Sequence, residues 1–197
     1  MTTGDALERL RAGNARFVAS VRSPASLANA ARRAELAIAQ EPFAIVLGCS
    51  DSRVPVEIVF DQGPGDLFVI RVAGNIVAPS LTGSVEFAAE RFGTRLVVVL
   101  GHSSCGAIQA TIEELHRPSR NQSPNLKAIV DRIRPAVSLR DDEHTAMRAN
   151  ILASVNQLRH GSAIIEGLIE SNGLVIVGAW YSLERGVVEF FEETLPA

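Results

Sequence analysis

Residues 95–106 read RLVVVLGHSSCG, and this stretch decides the fold. Its apolar part is continuous rather than alternating, which is typical of a strand buried on both faces of a sheet. His102 and Cys105 follow at once, and the next residues, CGAIQATIEEL, are typical of a helix. A buried strand that leads directly into two potential metal ligands predicts an α/β domain with its chemistry at the end of a strand.

Three further apolar runs have the same continuous character, and each is bounded by glycine, proline or charged residues. They are FAIVLG at 43–48, DLFVIRVA at 66–73 and GLVIVGAW at 173–180. Helical sequence separates the runs: PSLTGSVEFAAERFG at 79–93, and a long region from about 104 to 171. Continuous apolar strands separated by helices predict a mostly parallel four-stranded sheet flanked by helices.

The two ends of the chain complete this α/β fold. GVVEFF at 186–191 follows YSLERG, whose polar residues suit a hairpin turn, and predicts an added antiparallel edge strand. Residues 1–40 predict an N-terminal helical arm, with Thr2 or Thr3 as its first cap and an alanine-rich second helix at 25–40. Both helices offer few apolar positions, so we expect a single domain over 1–197 whose arm packs on a partner subunit.

The overall composition excludes several classes of protein. The 197-residue chain is 47% hydrophobic and carries a net charge of −3, so it can form a core and offers no basic surface to nucleic acid. Its apolar runs are much shorter than the roughly 20 residues of a membrane-spanning helix. The first residues, MTTGDALERLRAGNARF, lack the charged and then apolar order of a signal peptide. We therefore expect a cytoplasmic protein that binds neither nucleic acid nor membrane.

The chain has only two cysteines, and both come directly after buried strands. Cys49 ends the first apolar run, and Cys105 follows His102 after the third. Inert core thiols, a redox pair and a metal site are the alternatives for two cysteines in a reducing compartment. Because ligands bind beyond the carboxyl ends of strands in open α/β sheets, Cys49, His102 and Cys105 predict a zinc site with a fourth position left over.

An acid and a base follow Cys49 in the stretch CSDSRVP at 49–55. Asp51 and Arg53 are two residues apart, so they point the same way if the segment is extended. Asp51 is then either the fourth metal ligand or an ionised carboxylate that Arg53 holds beside a metal-bound water. A surface ion pair of little energetic value is the third alternative. The other histidines have no partner motif and are predicted to lie at the surface: His116, His144 and His160.

The combination of CSDSR with GHSSCGA, about fifty residues later, resembles the Cys-x-Asp-x-Arg and His-x-x-Cys motifs of the β-class carbonic anhydrases. AGNARF, FDQGPGDLFVIRVAGNIV and GSVEFA resemble the same family, so the likeness runs from about residue 8 to the final strands. It implies a zinc enzyme that hydrates carbon dioxide reversibly to bicarbonate and a proton, through attack by zinc-bound hydroxide. Carried over, Cys49, His102 and Cys105 bind one Zn²⁺ per subunit, and Asp51 and Arg53 form the catalytic dyad.

The same resemblance implies a substrate pocket at a dimer interface, in a homodimer or a dimer of dimers. Its residues are Gln40, Phe68, Ala73, Phe87 and Gly106. One subgroup of the family has a tryptophan three residues before the first cysteine, where bicarbonate binds and favours a closed site with the aspartate on zinc. Val46 occupies that position here, which implies the open, plant-like form. Ala73 and Phe87 stand where plant-type enzymes have valine and tyrosine, so the shape of the pocket is left open.

Three other functions are compatible with parts of this pattern. A hydrolase of carbonyl sulfide or carbon disulfide would use the same fold and the same ligands. A zinc protein without turnover would have no need of Asp51 and Arg53, which argues against that alternative. A dithiol redox protein would be expected to carry C-x-x-C, and His102 beside Cys105 is better explained by a metal.

Overall fold

The fold is built on one mixed sheet, and the computed structural model describes residues 1–24, 30–118 and 123–195. Within these residues five strands pair in the order β2-β1-β3-β4-β5. The strands are β1 (Ala44–Gly48), β2 (Leu67–Arg71), β3 (Leu96–His102), β4 (Val175–Tyr181) and β5 (Val188–Phe190). The first four are parallel and β5 pairs antiparallel with β4, so the predicted four-plus-one sheet is confirmed.

Eight α-helices, counted over the same residues, surround the sheet. They are α1 (Thr3–Val18), α2 (Ala30–Leu36), α3 (Val56–Val59), α4 (Pro79–Arg91), α5 (Gly106–His116), α6 (Pro124–Ile133), α7 (Glu143–His160) and α8 (Ala163–Asn172). The helix predicted at 79–93 is confirmed as α4, whereas the long helical region from about 104 to 171 is divided into four helices. Pro124 opens α6, and Asp142 and Ser162 cap α7 and α8 by accepting backbone N–H groups.

The central strands are buried because helices cover both faces of the sheet. On β3, Val97 and Val99 face the layer formed by α4 to α8, and Val98 and Leu100 face α1 and α3. Every residue of β1 and β3 is buried. This two-sided cover explains why continuous apolar runs, rather than alternating ones, form these strands.

Two glycines let α7 approach the sheet closely. A Cβ at Gly101 of β3 would lie 2.5 Å from Ile151 Cδ1, and one at Gly178 of β4 would lie 2.9 Å from Ile151 Cγ2. Ile151 is fully buried against these two positions. The absence of side chains at Gly101 and Gly178 therefore sets how tightly α7 packs behind the carboxyl end of β3.

The N-terminal arm consists of two helices that pack differently. Thr2 caps α1 in a capping box: its Oγ1 accepts the Asp5 N–H at 3.1 Å, and Asp5 Oδ2 accepts the Thr2 N–H at 3.1 Å. α1 buries Leu7 and Leu10 against its own sheet, whereas α2 has no buried residue over its described length. The start of the predicted second helix, 25–29, lies outside the described residues, and packing of the arm on a partner subunit stays a prediction.

The hairpin before β5 agrees with the sequence. The Ser182 N–H donates to Val187 O at 2.9 Å, and Gly186, with φ at +71°, supplies the left-handed conformation of the turn.

No helix in the described part of the chain is both long enough and apolar enough to cross a membrane.

Candidate metal centre

Three potential metal ligands meet beyond the carboxyl ends of β1 and β3. Because these strands are parallel neighbours, the residue after β1 and the last residue of β3 lie at the same edge of the sheet. One ligand atom from each of Cys49, His102 and Cys105 lies within 4.8 Å of the others. Ser104, with φ at +54°, turns the chain between His102 and Cys105 so that both side chains reach the same point. The three residues are 4%, 1% and 2% exposed in that order.

The histidine of this cluster is prepared for a metal. His102 Nδ1 lies 2.9 Å from Ser103 O, and since a carbonyl oxygen only accepts, Nδ1 carries the proton. Nε2 then presents its lone pair, yet it is buried and has no hydrogen-bond partner among the residues that the structure describes. An orphaned buried nitrogen is costly unless something binds it. Two thiols and one imidazole are donors that zinc prefers, so the residues fit this ion.

The pKa values of the two cysteines in the cluster are shifted in opposite directions. Interaction with the neighbouring Cys105 thiol lowers the pKa of Cys49, and the backbone N–H groups of Gly74 and Asp51, each 3.4 Å from Cys49 Sγ, lower it further. The Cys49 sulfur, together with burial, raises the pKa of Cys105. These opposite directions favour a proton on Cys105 rather than on Cys49, and a metal that binds both sulfurs must displace it.

Asp51 lies beside the three ligands and is held by Arg53. The guanidinium donates from Nε to Oδ1 at 2.9 Å and from Nη2 to Oδ2 at 2.7 Å, and it also reaches Ser104 O at 3.0 Å. These bonds hold the pKa of the Asp51 carboxyl far below its usual range. Asp51 Oδ2 is 4.0 Å from His102 Nε2, so the carboxylate borders the centre while it is bonded to Arg53.

The residues predicted for the substrate pocket lie in different places. Ala73 belongs to a 3₁₀ turn, 73–75, whose Gly74 N–H reaches Cys49, and Gly106 is the first residue of α5, directly after Cys105. These two lie at the metal end of the sheet.

The remaining residues predicted for the pocket have other neighbours within the chain. Phe68 and Phe87 form an aromatic cluster with Phe92, in which ring centroids are 5.6 to 6.2 Å apart. Gln40 is exposed and precedes β1, so it lies toward the opposite end of the sheet from Cys49, beside an open cavity of about 1050 Å³.

The sequence did not predict the side chains that donate hydrogen bonds to the backbone around the centre. Arg71, at the end of β2, donates to Cys49 O and to Asp51 O. Asn150 and Ser154 of α7 donate to Gly74 O and Asn75 O, which fixes the turn that bonds to Cys49. The only signal for Arg71 was a charged residue at the end of a buried apolar run. Asn150 and Ser154 gave none, because polar residues in a helix are common.

Comparison with known proteins agrees with this centre. The sequence profile of the family described as carbonic anhydrase matches residues 44–188, a span that contains all three ligands. The chain belongs to the carbonic anhydrase family. It is 42% identical over 191 residues to the carbonic anhydrase of Mycolicibacterium smegmatis, with 93% of this chain and 91% of that protein covered. It is 37% identical to carbonic anhydrase 2 of Mycobacterium tuberculosis, with 92% and 89% covered.

Solved structures of β-carbonic anhydrases share the fold. The β-carbonic anhydrase of Coccomyxa, in complex with acetazolamide, superposes with a TM-score of 0.71 at 23% identity, over 80% of this chain and 75% of that one. One of the tetrameric β-carbonic anhydrases of Sordaria macrospora gives a TM-score of 0.68 at 23% identity, over 81% and 85%. The family match, the relatives at 37–42% identity and the shared fold together confirm the resemblance to the β-class, and the open, plant-like subgroup stays a prediction.

Proposed function

We propose that the protein catalyses the reversible hydration of carbon dioxide to bicarbonate and a proton, with zinc bound by Cys49, His102 and Cys105. One observation carries the proposal: His102 Nε2 is buried and has no hydrogen-bond partner among the described residues, although it lies beside the thiols of Cys49 and Cys105. The chain that contains this cluster belongs to the carbonic anhydrase family. Zinc in such a site supplies the Lewis acidity that makes water nucleophilic near neutral pH. Because two thiolates offset the charge of the ion, we expect activity to rise on the alkaline side of neutral.

Asp51 has the properties of an ionised hydrogen-bond acceptor beside the metal centre. Its carboxylate stays ionised because Arg53 donates to both oxygens, and it borders the ligand cluster without being one of the three donors that meet there. In the proposed mechanism Asp51 orients the attacking water and takes its proton, while Arg53 keeps the carboxylate from binding the metal. This arrangement supports the open, plant-like form.

We further propose that the substrate pocket is completed in a homodimer or a dimer of dimers. Ala73 and Gly106 lie at the metal end, whereas Phe68 and Phe87 pack against each other and Gln40 precedes β1 toward the opposite end of the sheet. Phe87 is 53% exposed although it is apolar, and α2 buries none of its described residues. Both surfaces suit a second copy of the chain, and tetrameric assemblies are described for the Sordaria macrospora relatives. The assembly is proposed to be cytoplasmic.

Zinc content and stopped-flow hydration of carbon dioxide, measured together, test this function. We expect about one zinc per chain, set by the three-donor cluster, and hydration that increases from mild acid to about pH 9. Zinc without hydration at any of these pH values would favour the structural alternative. Turnover of carbonyl sulfide or carbon disulfide without hydration of carbon dioxide would favour the hydrolase.

The state of Asp51 is tested by Arg53→Ala. Without the guanidinium, Asp51 is free to occupy the fourth position on zinc and to close the site. A crystal structure of the zinc-loaded variant should show a carboxylate oxygen within about 2.2 Å of the ion. A variant in which Asp51 remains away from zinc would contradict the role of Arg53.

A further inference from the structure

The loop that carries Cys49 and Asp51 begins where strand pairing ends. Gly48 of β1 is opposite Arg71 of β2, and this is the last pair of that ladder. Two more backbone bonds continue it, from the Val72 N–H to Gly48 O at 3.1 Å and from the Ser50 N–H to Val72 O at 3.2 Å. After Ser50 the main chain leaves the sheet, so residues 51–54 are held by a turn and by side-chain hydrogen bonds.

The Arg71 guanidinium spans this departure. Nε donates to Cys49 O at 2.8 Å, and Nη2 donates to Asp51 O at 2.6 Å. Asp51 O also accepts the Val54 N–H at 3.0 Å, which closes the turn that carries Arg53. One planar fork therefore bonds the main chain of a metal ligand and the main chain of the neighbouring acid, a geometry that a flexible ammonium cannot reproduce.

We propose that Arg71 is a positioning residue, which fixes the distance between the Cys49 sulfur and the Asp51 carboxylate by holding the carbonyl groups of both residues. Arg53 holds the Asp51 carboxylate itself, so the acid is fixed at its side chain by one arginine and at its backbone by the other. The inference deepens the proposed function, on which it rests. It assigns Arg71 no contact with substrate or metal.

Replacement of Arg71 should change the loop that carries Cys49 and Asp51 without disturbing the core. Its side chain is exposed, and the β1–β2 pairing uses only its backbone, so replacement leaves the core intact. Displacement of a catalytic group by about 1 Å can cost about 100-fold in rate. We expect Arg71→Ala to keep zinc and a Tm close to that of the wild type, to lower kcat by about 10- to 100-fold, and to leave KM nearly unchanged.

Two further variants test whether positive charge alone explains the effect of Arg71, and whether loss of any arginine that donates to backbone carbonyls has the same effect. Arg71→Lys keeps the positive charge without the fork and should recover only part of the lost kcat. Arg95→Ala is the matched control, because Arg95 also donates to two carbonyls, Ala89 O and Thr94 O, at the opposite end of β3. It should leave kcat unchanged.

Amide hydrogen exchange on the zinc-loaded proteins gives a readout that does not depend on activity. The N–H groups of Ser50, Asp51, Arg53 and Val54 all donate within or next to this loop. In Arg71→Ala we expect faster exchange confined to 50–54, and in Arg95→Ala no change there.

Other outcomes would contradict either the positioning role of Arg71 or the proposed function. Unchanged exchange or unchanged kcat in Arg71→Ala would overturn it, and so would loss of zinc, full recovery by Arg71→Lys, or equal loosening by Arg95→Ala. If the wild type does not hydrate carbon dioxide, the proposed function fails, while exchange at 50–54 still decides whether Arg71 positions the loop.

Discussion

The predicted metal ligands differ in their surroundings from Phe68 and Phe87, which were predicted for the same site and which form an aromatic cluster with Phe92. Ligand atoms of Cys49, His102 and Cys105 lie within 4.8 Å of one another and are buried. The aromatic rings lie between β2 and α4, and Phe87 is half exposed. The ends of parallel strands bring the first group together, whereas packing of α4 on β2 brings the second group together.

This difference separates what one chain does alone from what an assembly would add. The metal centre already contains its donors, its neighbouring acid and its supporting arginines. The aromatic cluster offers apolar surface that a second copy could cover. Variants at the two places should therefore have separable effects, on metal and chemistry in one case and on association in the other.

Loss of a metal ligand should have the largest effect. Cys105→Ser or His102→Ala leaves two of the three donors, so zinc should be lost during gel filtration and hydration should be abolished. Elemental analysis measures the zinc, and His160→Ala, at an exposed histidine of α7, serves as the control that keeps it. Stoichiometric zinc in either ligand variant would show that the ion binds elsewhere.

Removal of the acid beside the metal should have the next largest effect. Asp51→Asn keeps the shape but cannot accept a proton, so we expect normal zinc content and a loss of about 10²- to 10⁴-fold in kcat. Because Arg53 depresses the pKa of Asp51, its carboxylate stays charged from about pH 5 to 9, and the loss should be the same across that range.

The control for this variant is Asp131→Asn. Asp131 is an exposed aspartate of α6 that pairs with Lys127 and Arg134, and its replacement should leave stopped-flow rates unchanged. A loss in Asp51→Asn that disappears at alkaline pH would mean that another base takes the proton, and it would remove Asp51 from the mechanism.

The sequence predicted the metal end well because its signals are local. Continuous apolar runs indicated strands covered on both faces, and ligands directly after such runs must lie at one edge if the strands are parallel. Cys49 and Cys105 therefore could be placed together before any strand order was known. Asp51 and Arg53 do pair, but the extended segment predicted for them is wrong: the pair forms in a turn that the Val54 N–H closes by donating to Asp51 O at 3.0 Å.

Other features depend on register and packing, which no short pattern encodes. Arg71 reaches Cys49 O only because β2 pairs with β1 so that Arg71 is opposite Gly48. Asn150 supports the turn at Gly74 only because α7 packs closely on Gly101. The helical region from 104 to 171 was predicted as one stretch, since its capping residues, Asp142 and Ser162, also occur in ordinary exposed positions.

Disruption of the aromatic cluster should have an intermediate effect and should change association without affecting the metal. Phe87→Glu places a charge on the exposed ring position, and we expect unchanged zinc and a dimer dissociation constant raised by about 30-fold, the equivalent of about 2 kcal/mol. Light scattering over a dilution series measures it. Ile164→Glu, at an exposed apolar residue of α8, is the control. A wild type that is fully active as a monomer would remove the proposed interface.

The smallest expected effect is a redistribution of charge between the two cysteines of the metal-free protein. The pKa of Cys49 is lowered and that of Cys105 is raised, so we expect Cys49 to be a thiolate and Cys105 to keep its proton at neutral pH. Absorbance near 240 nm should therefore show one thiolate per folded chain at neutral pH. No second thiolate should appear as the pH rises to about 9, past the value near 8.5 at which an ordinary thiol ionises.

The two single-cysteine variants assign this thiolate. Cys49→Ser should remove it, and the remaining Cys105 should then titrate at a lower pH, because the sulfur that raised its pKa is gone. Cys105→Ala should raise the pKa of Cys49 toward the ordinary value, because the thiol that donates to its sulfur is lost. Circular dichroism must show each metal-free variant to be folded. Two thiolates, or none, at neutral pH in the wild type would contradict the shared proton and would leave the sulfurs as independent thiols.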